Sequence, residues 1–368
     1  MRILIAPCSF KESLTANDAA RVLARVARAR GHVTEIVPVA DGGEGTLDAL
    51  RVPLGLTLRT AVVPGPLGAP IRARFGASTC DALVEVAEAV GLARVPRSQR
   101  DPMRATTVGV GHLVRRALDG GAAHVMVALG GSATVDGGAG LLWALGVRFF
   151  DARGRALAPT PRALAALARV DRSGLDPRLA RVRLTALADV RVPLLGARGA
   201  QQFMAQKGVR PRELPALARM LRALHPPAVA RVPGAGAAGG LGAALVSLGA
   251  RVVPGIDVVL DAHDVRARVA RADLVITGEG HLDEQTLEGK AVAALARACR
   301  RARTPVLALC GRVDLAPARL ARAGVIALPI VPGPCSVDDA LAEASANLER
   351  TAHAALALVE ARRARGVR

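Results

Sequence analysis

The sequence predicts an α/β protein of two domains, one inserted into the other. Three observations predict it. Short apolar runs alternate with amphipathic helical stretches at both ends of the chain, the rhythm of a parallel sheet with crossover helices. Two loops, Asp41–Thr46 and Thr277–Thr286, each follow such a run and carry Gly-Glu-Gly with a nearby Asp. If the outer segments form one open sheet, these loops meet at its carboxyl edge, where α/β sheets present ligand-binding loops. Between them the chain turns glycine- and proline-rich, the mark of an insertion.

Taken in order, Ile3–Ala6 reads as the first strand, Asn17–Arg30 as an amphipathic helix and Val33–Val39 as the second strand. Pro64, Pro66, Gly68 and Pro70 mark a domain crossing, followed by hairpin strands at Ile71–Phe75 and Ala82–Val86. Val125–Leu129 is a continuous apolar run, the pattern of a strand buried on both faces. It breaks into Gly130, Gly131, Ser132, Ala133, Thr134, Val135, Asp136, Gly137 and Gly138, with Gly140 beyond. Glycine lets backbone approach a ligand closely, and the N-terminus of the helix that follows offers unpaired N–H groups, so this reads as an anion-binding loop. No lysine follows the glycines as in a GxxxxGK[ST] phosphate loop, and tight helix–sheet packing is the competing reading.

Arg183–Ala188 is a further strand, ending in Asp189. A second glycine run from Gly234 to Gly242 contains GxGxxG, with Asp257 at dinucleotide-fingerprint spacing. The apolar run before it is short, interrupted by Arg231 and followed by Pro233, so close backbone packing at a helix start is the preferred reading. The strand–helix rhythm returns with Leu274–Thr277, a helix over Gly289–Arg301, Val306–Cys310 and Val325–Ile330, and a final helix over Val337–Arg363.

Composition narrows the function. The chain has 368 residues, is 51 % hydrophobic and carries a formal charge of +19. Its arginines are scattered through Ala-rich helical stretches, and aromatic residues make up only 2 %, too few for base-stacking platforms, so a nucleic-acid partner is not expected. The three lysines, Lys11, Lys207 and Lys290, stand beside glycine or hydroxyl residues, where a compact ammonium does a different job from a guanidinium. Cys8, Cys80, Cys299, Cys310 and Cys335 show no CxxC pairing, which suggests reduced thiols in a cytoplasmic protein and no zinc site. No apolar run approaches membrane-spanning length, so no membrane partner is expected. The sequence leaves the oligomeric state open.

Glycine loops, carboxylates at strand ends (Asp41, Glu44, Asp189, Glu279, Asp283) and isolated lysines are the equipment of phosphoryl transfer. Backbone N–H groups and lysine neutralise phosphate, acids hold Mg2+, and one carboxylate takes the acceptor hydroxyl's proton. The chain resembles a known family through SFKESLTA (Ser9–Ala16), ADGGEGT (Ala40–Thr46), LGGSATVDGGAG (Leu129–Gly140) and ADV-x-x-PLLG (Ala188–Gly196) with QKG (Gln206–Gly208). It does so further through PGAGAAGGLGAAL (Pro233–Leu245) and GEG-x-x-D-x-QTLEGKA (Gly278–Ala291). Together these blocks resemble the bacterial glycerate kinase family that has neither a P-loop nor a ribokinase or hexokinase signature.

The resemblance implies ATP- and Mg2+-dependent phosphorylation of D-glycerate to 2-phosphoglycerate or 3-phosphoglycerate in a cleft between two α/β domains. The alternatives are a kinase for another small hydroxy acid, or a weakened member that binds a nucleotide or metabolite. It also implies an open Rossmann-like parallel sheet domain of residues 1–65 and 256–368, with a mixed α/β domain of residues 66–255 inserted. Carried over by residue, it singles out Asp189, Lys11, Asp41 and Lys290, whose chemistry suggests catalytic roles: Asp189 as general base or Mg2+ ligand, Asp41 as a further Mg2+ ligand, and Lys11 and Lys290 on phosphate or the substrate carboxylate. As binding residues it marks Ser9, Phe10, Gly42, Gly43, Glu44, Gly45, Gly130, Gly131, Ser132, Thr134, Asp136, Lys207, Gly278, Glu279, Gly280, Asp283, Gln285 and Thr286. Departures from the family pattern stand at Cys8, Glu12, Val135, Val192 and His281, with Val135 the expected place to test specificity.

Overall fold

The computed structural model describes residues 1–196, 199–287 and 291–365. The chain divides into two compact units, one of Met1–Ala40 with Ile256–Arg368 and the other of Asp41–Gly255.

The first unit is built on a five-stranded, wholly parallel sheet. Its strands lie in the order Val325–Pro329, Val306–Cys310, Leu274–Thr277, Arg2–Ile5 and Val33–Ile36. The central strands are short runs of Ile, Leu and Val because both faces are covered. One face packs against the helices Ala16–Ala29 and Ala344–Arg365, whose Leu23, Val26, Leu348 and Leu356 join the core with Ile3, Ile5 and Leu309. Thr15 caps the first of these helices by accepting from Asp18 N at 3.1 Å. The expected final helix is two helices, Val337–Ala342 and Ala344–Arg365, parted at Glu343.

The second unit carries a six-stranded mixed sheet in the order Arg251–Pro254, Arg183–Ala188, His124–Ala128, Asp81–Glu85, Pro70–Ala77 and Thr57–Pro64. The first four strands are parallel and the last two antiparallel. Residues 41–65, placed with the outer domain by sequence, group with this unit. The physical reason is the Thr57–Pro64 strand, which pairs along its whole length with Pro70–Ala77, from Thr57 opposite Ala77 to Pro64 opposite Pro70. It is an exposed edge strand with arginine and threonine outward, so it lacks the apolar run that would have announced it.

No helix among the described residues is long and apolar enough to cross a membrane.

Candidate functional site

In the inserted unit the parallel strands end together, and three loops gather there. The Asp41–Thr46 loop lies across their carboxyl ends: Gly130 N donates to Gly42 O at 2.9 Å. No side chain could intervene. A Cβ on Gly130 would stand 2.3 Å from Gly43 Cα, one on Gly42 2.8 Å from Leu187 O, and one on Gly255 2.4 Å from Gly42 Cα. Gly42, at φ +103°, also needs the left-handed conformation that glycine alone adopts cheaply. Asp41 is half-buried and accepts from Gly43 N at 3.2 Å, an Asx-type turn that orients its carboxylate.

The second loop is Gly130–Gly138, and Lys207 is its internal anchor. The Lys207 ammonium donates to Ser132 Oγ at 2.8 Å and to the Thr134 carbonyl at 3.0 Å. Burial lowers its pKa to about 8, against the pull of the Asp136 and Asp189 charges. Asp189 follows the Arg183–Ala188 strand directly and is half-buried, the third group at this edge. Asp41, Gly130, Ser132, Asp189 and Lys207 are therefore brought to one end of one sheet.

Asp136 has a different task from the ligand contact expected of it. It is fully buried and accepts from Thr107 N and Thr107 Oγ1, both at 2.8 Å, from Gly138 N and Gly140 N, both at 3.0 Å, and from Thr106 Oγ1 at 3.4 Å. Burial pushes its carboxyl upward, opposed by those hydrogen bonds. With its lone pairs taken by five donors, Asp136 fastens the glycine loop to the turn before the Val108–Asp119 helix. Thr134 is buried as well, with its carbonyl on Lys207.

The second glycine run forms the floor of this loop. Gly137 N donates to Gly239 O at 3.1 Å, and a Cβ on Gly239 would meet Thr134 O at 2.0 Å. Ala238, Gly239 and Gly240 all have positive φ, interrupting the Ala237–Ser247 helix to allow the contact. The GxGxxG run thus serves backbone packing. Buried His225 adds a side chain to the support, its Nε2 2.7 Å from Gly137 O.

In the first unit the carboxyl ends of the central strands gather a separate set. Cys8 N donates to Gly278 O at 2.8 Å, Thr277 Oγ1 to Ala6 O at 2.7 Å, and Gly311 N to Glu279 O at 3.0 Å. Ser9 is half-buried and Lys11 exposed, while Phe10 is 2 % exposed within the core. Phe10 therefore supports the loop with its ring, beneath Gly278, where an added Cβ would be 3.2 Å from Phe10 Cζ. A Cβ on Gly280 would stand 3.5 Å from Lys11 N. Asp283 caps the Glu284–Leu287 turn by accepting from Thr286 N at 3.0 Å, and Thr286 is buried. Gln285 lies in that turn. Lys290 lies outside the described residues.

The departures now have physical settings. Val135 is 0 % exposed and belongs to the hydrophobic core, so it lines no ligand surface. Glu12 occupies φ +65°, a conformation that favours glycine. Val192 serves through its backbone, its carbonyl accepting from Gly234 N and Gly236 N, both at 3.1 Å. His281 is exposed and 2.8 Å from Asp314.

Sequence reasoning missed Glu85, Thr107 and His225. Glu85 closes the Asp81–Glu85 strand, 3 % exposed, and its only signal was an acid at a parallel strand's carboxyl end. Thr107 and His225 gave none, because their partners are distant in sequence.

Residues 3–360 match the model of the glycerate kinase family. The chain is 42 % identical over 366 residues to a glycerate kinase of Bacillus subtilis, covering 96 % of each chain. It is 40 % identical over 325 residues to a glycerate 2-kinase of Escherichia coli, covering 84 % of this chain and 85 % of that one. A crystal structure from Salmonella typhimurium LT2, assigned as glycerate kinase 2, superposes with a TM-score of 0.80 at 38 % identity, covering 99 % of both chains. An α/β fold with one parallel and one mixed sheet, matched over nearly its whole length by these enzymes, places the chain in the glycerate kinase family.

Proposed function

We propose that this chain transfers the γ-phosphoryl group of ATP to the 2-hydroxyl of D-glycerate, releasing ADP and 2-phosphoglycerate, with Mg2+. The observation that carries the reading is the gathering of Asp41, Asp189, Lys207 and the Gly130–Ser132 turn at one sheet edge. The Escherichia coli relative's name, glycerate 2-kinase, supports the choice of hydroxyl.

The donor set suits Mg2+, which is commonly held by one or two carboxylates completed by phosphate oxygens and water. Among the described residues no three His, Cys, Asp or Glu side chains cluster as a self-sufficient cage. Asp41 and Asp189 are the carboxylates we place at this sheet edge, with Asp41 assigned to the ion. Bound Mg2+ would neutralise charge on the phosphate oxygens. Asp189 takes the proton of the acceptor hydroxyl, and the charged Lys207 keeps the Ser132–Thr134 turn shaped and electropositive toward phosphate. Lys11 and Lys290 supply positive charge to the substrate carboxylate or a phosphate, while Ser9, Gly278 and Gly280 are further candidate contacts.

Incubation with ATP, Mg2+ and D-glycerate followed by phosphorus NMR tests the reading. The expected product is 2-phosphoglycerate. Accumulation of 3-phosphoglycerate would reverse the regiochemistry, and absence of any phosphoglycerate would overturn the activity.

A further inference from the structure

The Glu85 side chain is tied to the Asp41–Gly45 loop. Its Oε1 accepts from Gly45 N at 3.1 Å and its Oε2 from Leu47 N at 2.8 Å. Gly45, at φ +91°, ends the Asp41–Gly45 loop, and Leu47 lies in the first turn of the Thr46–Leu50 helix. One buried carboxylate thus bridges the end of the loop and the start of the helix. Within the loop, Thr46 Oγ1 donates to Gly43 O at 2.6 Å and Gly43 N to Asp41 Oδ1 at 3.2 Å, so the position of Gly45 is passed back to Asp41.

We propose that Glu85 is a positioning residue for the Asp41–Gly45 loop, holding it through both backbone N–H groups only while its carboxylate is ionised. The proposal rests on the reading above, in which that loop belongs to the phosphoryl-transfer site. The chemistry follows from counting donors. An ionised carboxylate accepts at both oxygens, whereas a protonated one presents an O–H donor at one of them, facing an N–H that is itself a donor. Protonation therefore releases one of the two ties.

The surroundings place this change within a useful range. Burial raises the Glu85 carboxyl to about 7; the bonds from Leu47 and Gly45 oppose the rise, and the charges of Glu88 and Glu44 add to it. These two acids are the charged groups that face it. Glu44 is exposed, and Glu88 is itself held by Arg74 at 2.5 Å and Arg94 at 3.2 Å. The two backbone N–H groups are thus what favours its ionised form, against burial and the two neighbouring acids.

The test combines a ligand-free readout with kinetics. In the unliganded protein, amide exchange at Gly45 and Leu47, corrected for intrinsic rates, should show protection that rises through about pH 7. Glu85→Gln, an isosteric mimic of the protonated acid, should lack that rise. The same variant should lose the acid limb of the kcat/KM profile and fall about tenfold at pH 8, as expected for one lost hydrogen bond to a charged group. Glu85→Asp, one methylene shorter, should lose protection at one of the two amides yet keep a pH-dependent limb. Wild-type protection and an unchanged acid limb in Glu85→Gln, or full protection of both amides in Glu85→Asp, would overturn the proposal. If Asp41→Asn keeps wild-type kinetics, the assignment of the loop to the site fails instead, while the exchange data still decide whether Glu85 holds the loop.

Discussion

Lys207 donates its ammonium proton to the Ser132 hydroxyl at 2.8 Å in a setting where only 7 % of the lysine is exposed. If the glycine turn above it binds phosphate as proposed, this buried cation gives that affinity a pH dependence. With a pKa of about 8, Lys207 is charged below that value and neutral above it, so kcat/KM should fall as pH rises through about 8. Stability should move the other way. The folded value lies below the free-lysine value of 10.5, so between the two the unfolded chain binds more protons and stability rises with pH. Lys207→Met should abolish both trends and lower kcat/KM by about a hundredfold, read from pH–rate profiles and denaturant melts.

Asp189→Asn should leave the fold intact and reduce kcat by a factor of about 100 or more, the usual range for losing a general base. Steady-state kinetics beside a circular-dichroism melt checks it. A variant with wild-type kcat would remove Asp189 from the chemistry.

Asp136 makes the opposite prediction. Asp136→Ala leaves the N–H groups of Thr107, Gly138 and Gly140 without their acceptor in a fully buried site. Stability should fall by about 4 kcal/mol, measured as a shift in urea midpoint.

Gly130→Ala would drive a methyl group into Gly43 Cα, 2.3 Å from the ideal Cβ position. The Asp41–Gly45 loop must lift from the strand ends, so kcat/KM should fall at least about tenfold even where the melt shows a folded protein.

Val135→Asn should act on stability and leave substrate preference unchanged. The valine lies wholly within the core, and an amide there costs about 2 kcal/mol without partners. Melting temperature together with relative rates on glycerate and tartronate separates the two effects.

Much of this was legible because buried parallel strands announce themselves. Arg183–Ala188, Leu274–Thr277 and Val306–Cys310 have the bounds their apolar runs suggest, and Asp189 stands at the end of the first. Thr57–Pro64 was not legible because its exposed edge position removes the apolar pattern. Nor was the work of Asp136, since its partner Thr107 is 29 residues away and only the folded chain brings them together. Glu85 was hidden by the apolar residues flanking it, Val84 and Val86, which made the acid look like part of a hairpin. Chemistry-bearing residues could be read from their types, but whether each faces a ligand or the protein's own backbone depended on packing that no local pattern encodes.

The contact between Gly137 and Gly239, backbone against backbone, also bears on the thermodynamics of ligand capture. If the neighbouring turn binds phosphate as proposed, the ligand would find a main chain whose torsions are already restricted by a second segment, so little configurational freedom would remain to be surrendered on association. The glycines that would make a solitary loop floppy make this pair stiff, and binding heats should accordingly carry only a small ordering penalty from the protein side.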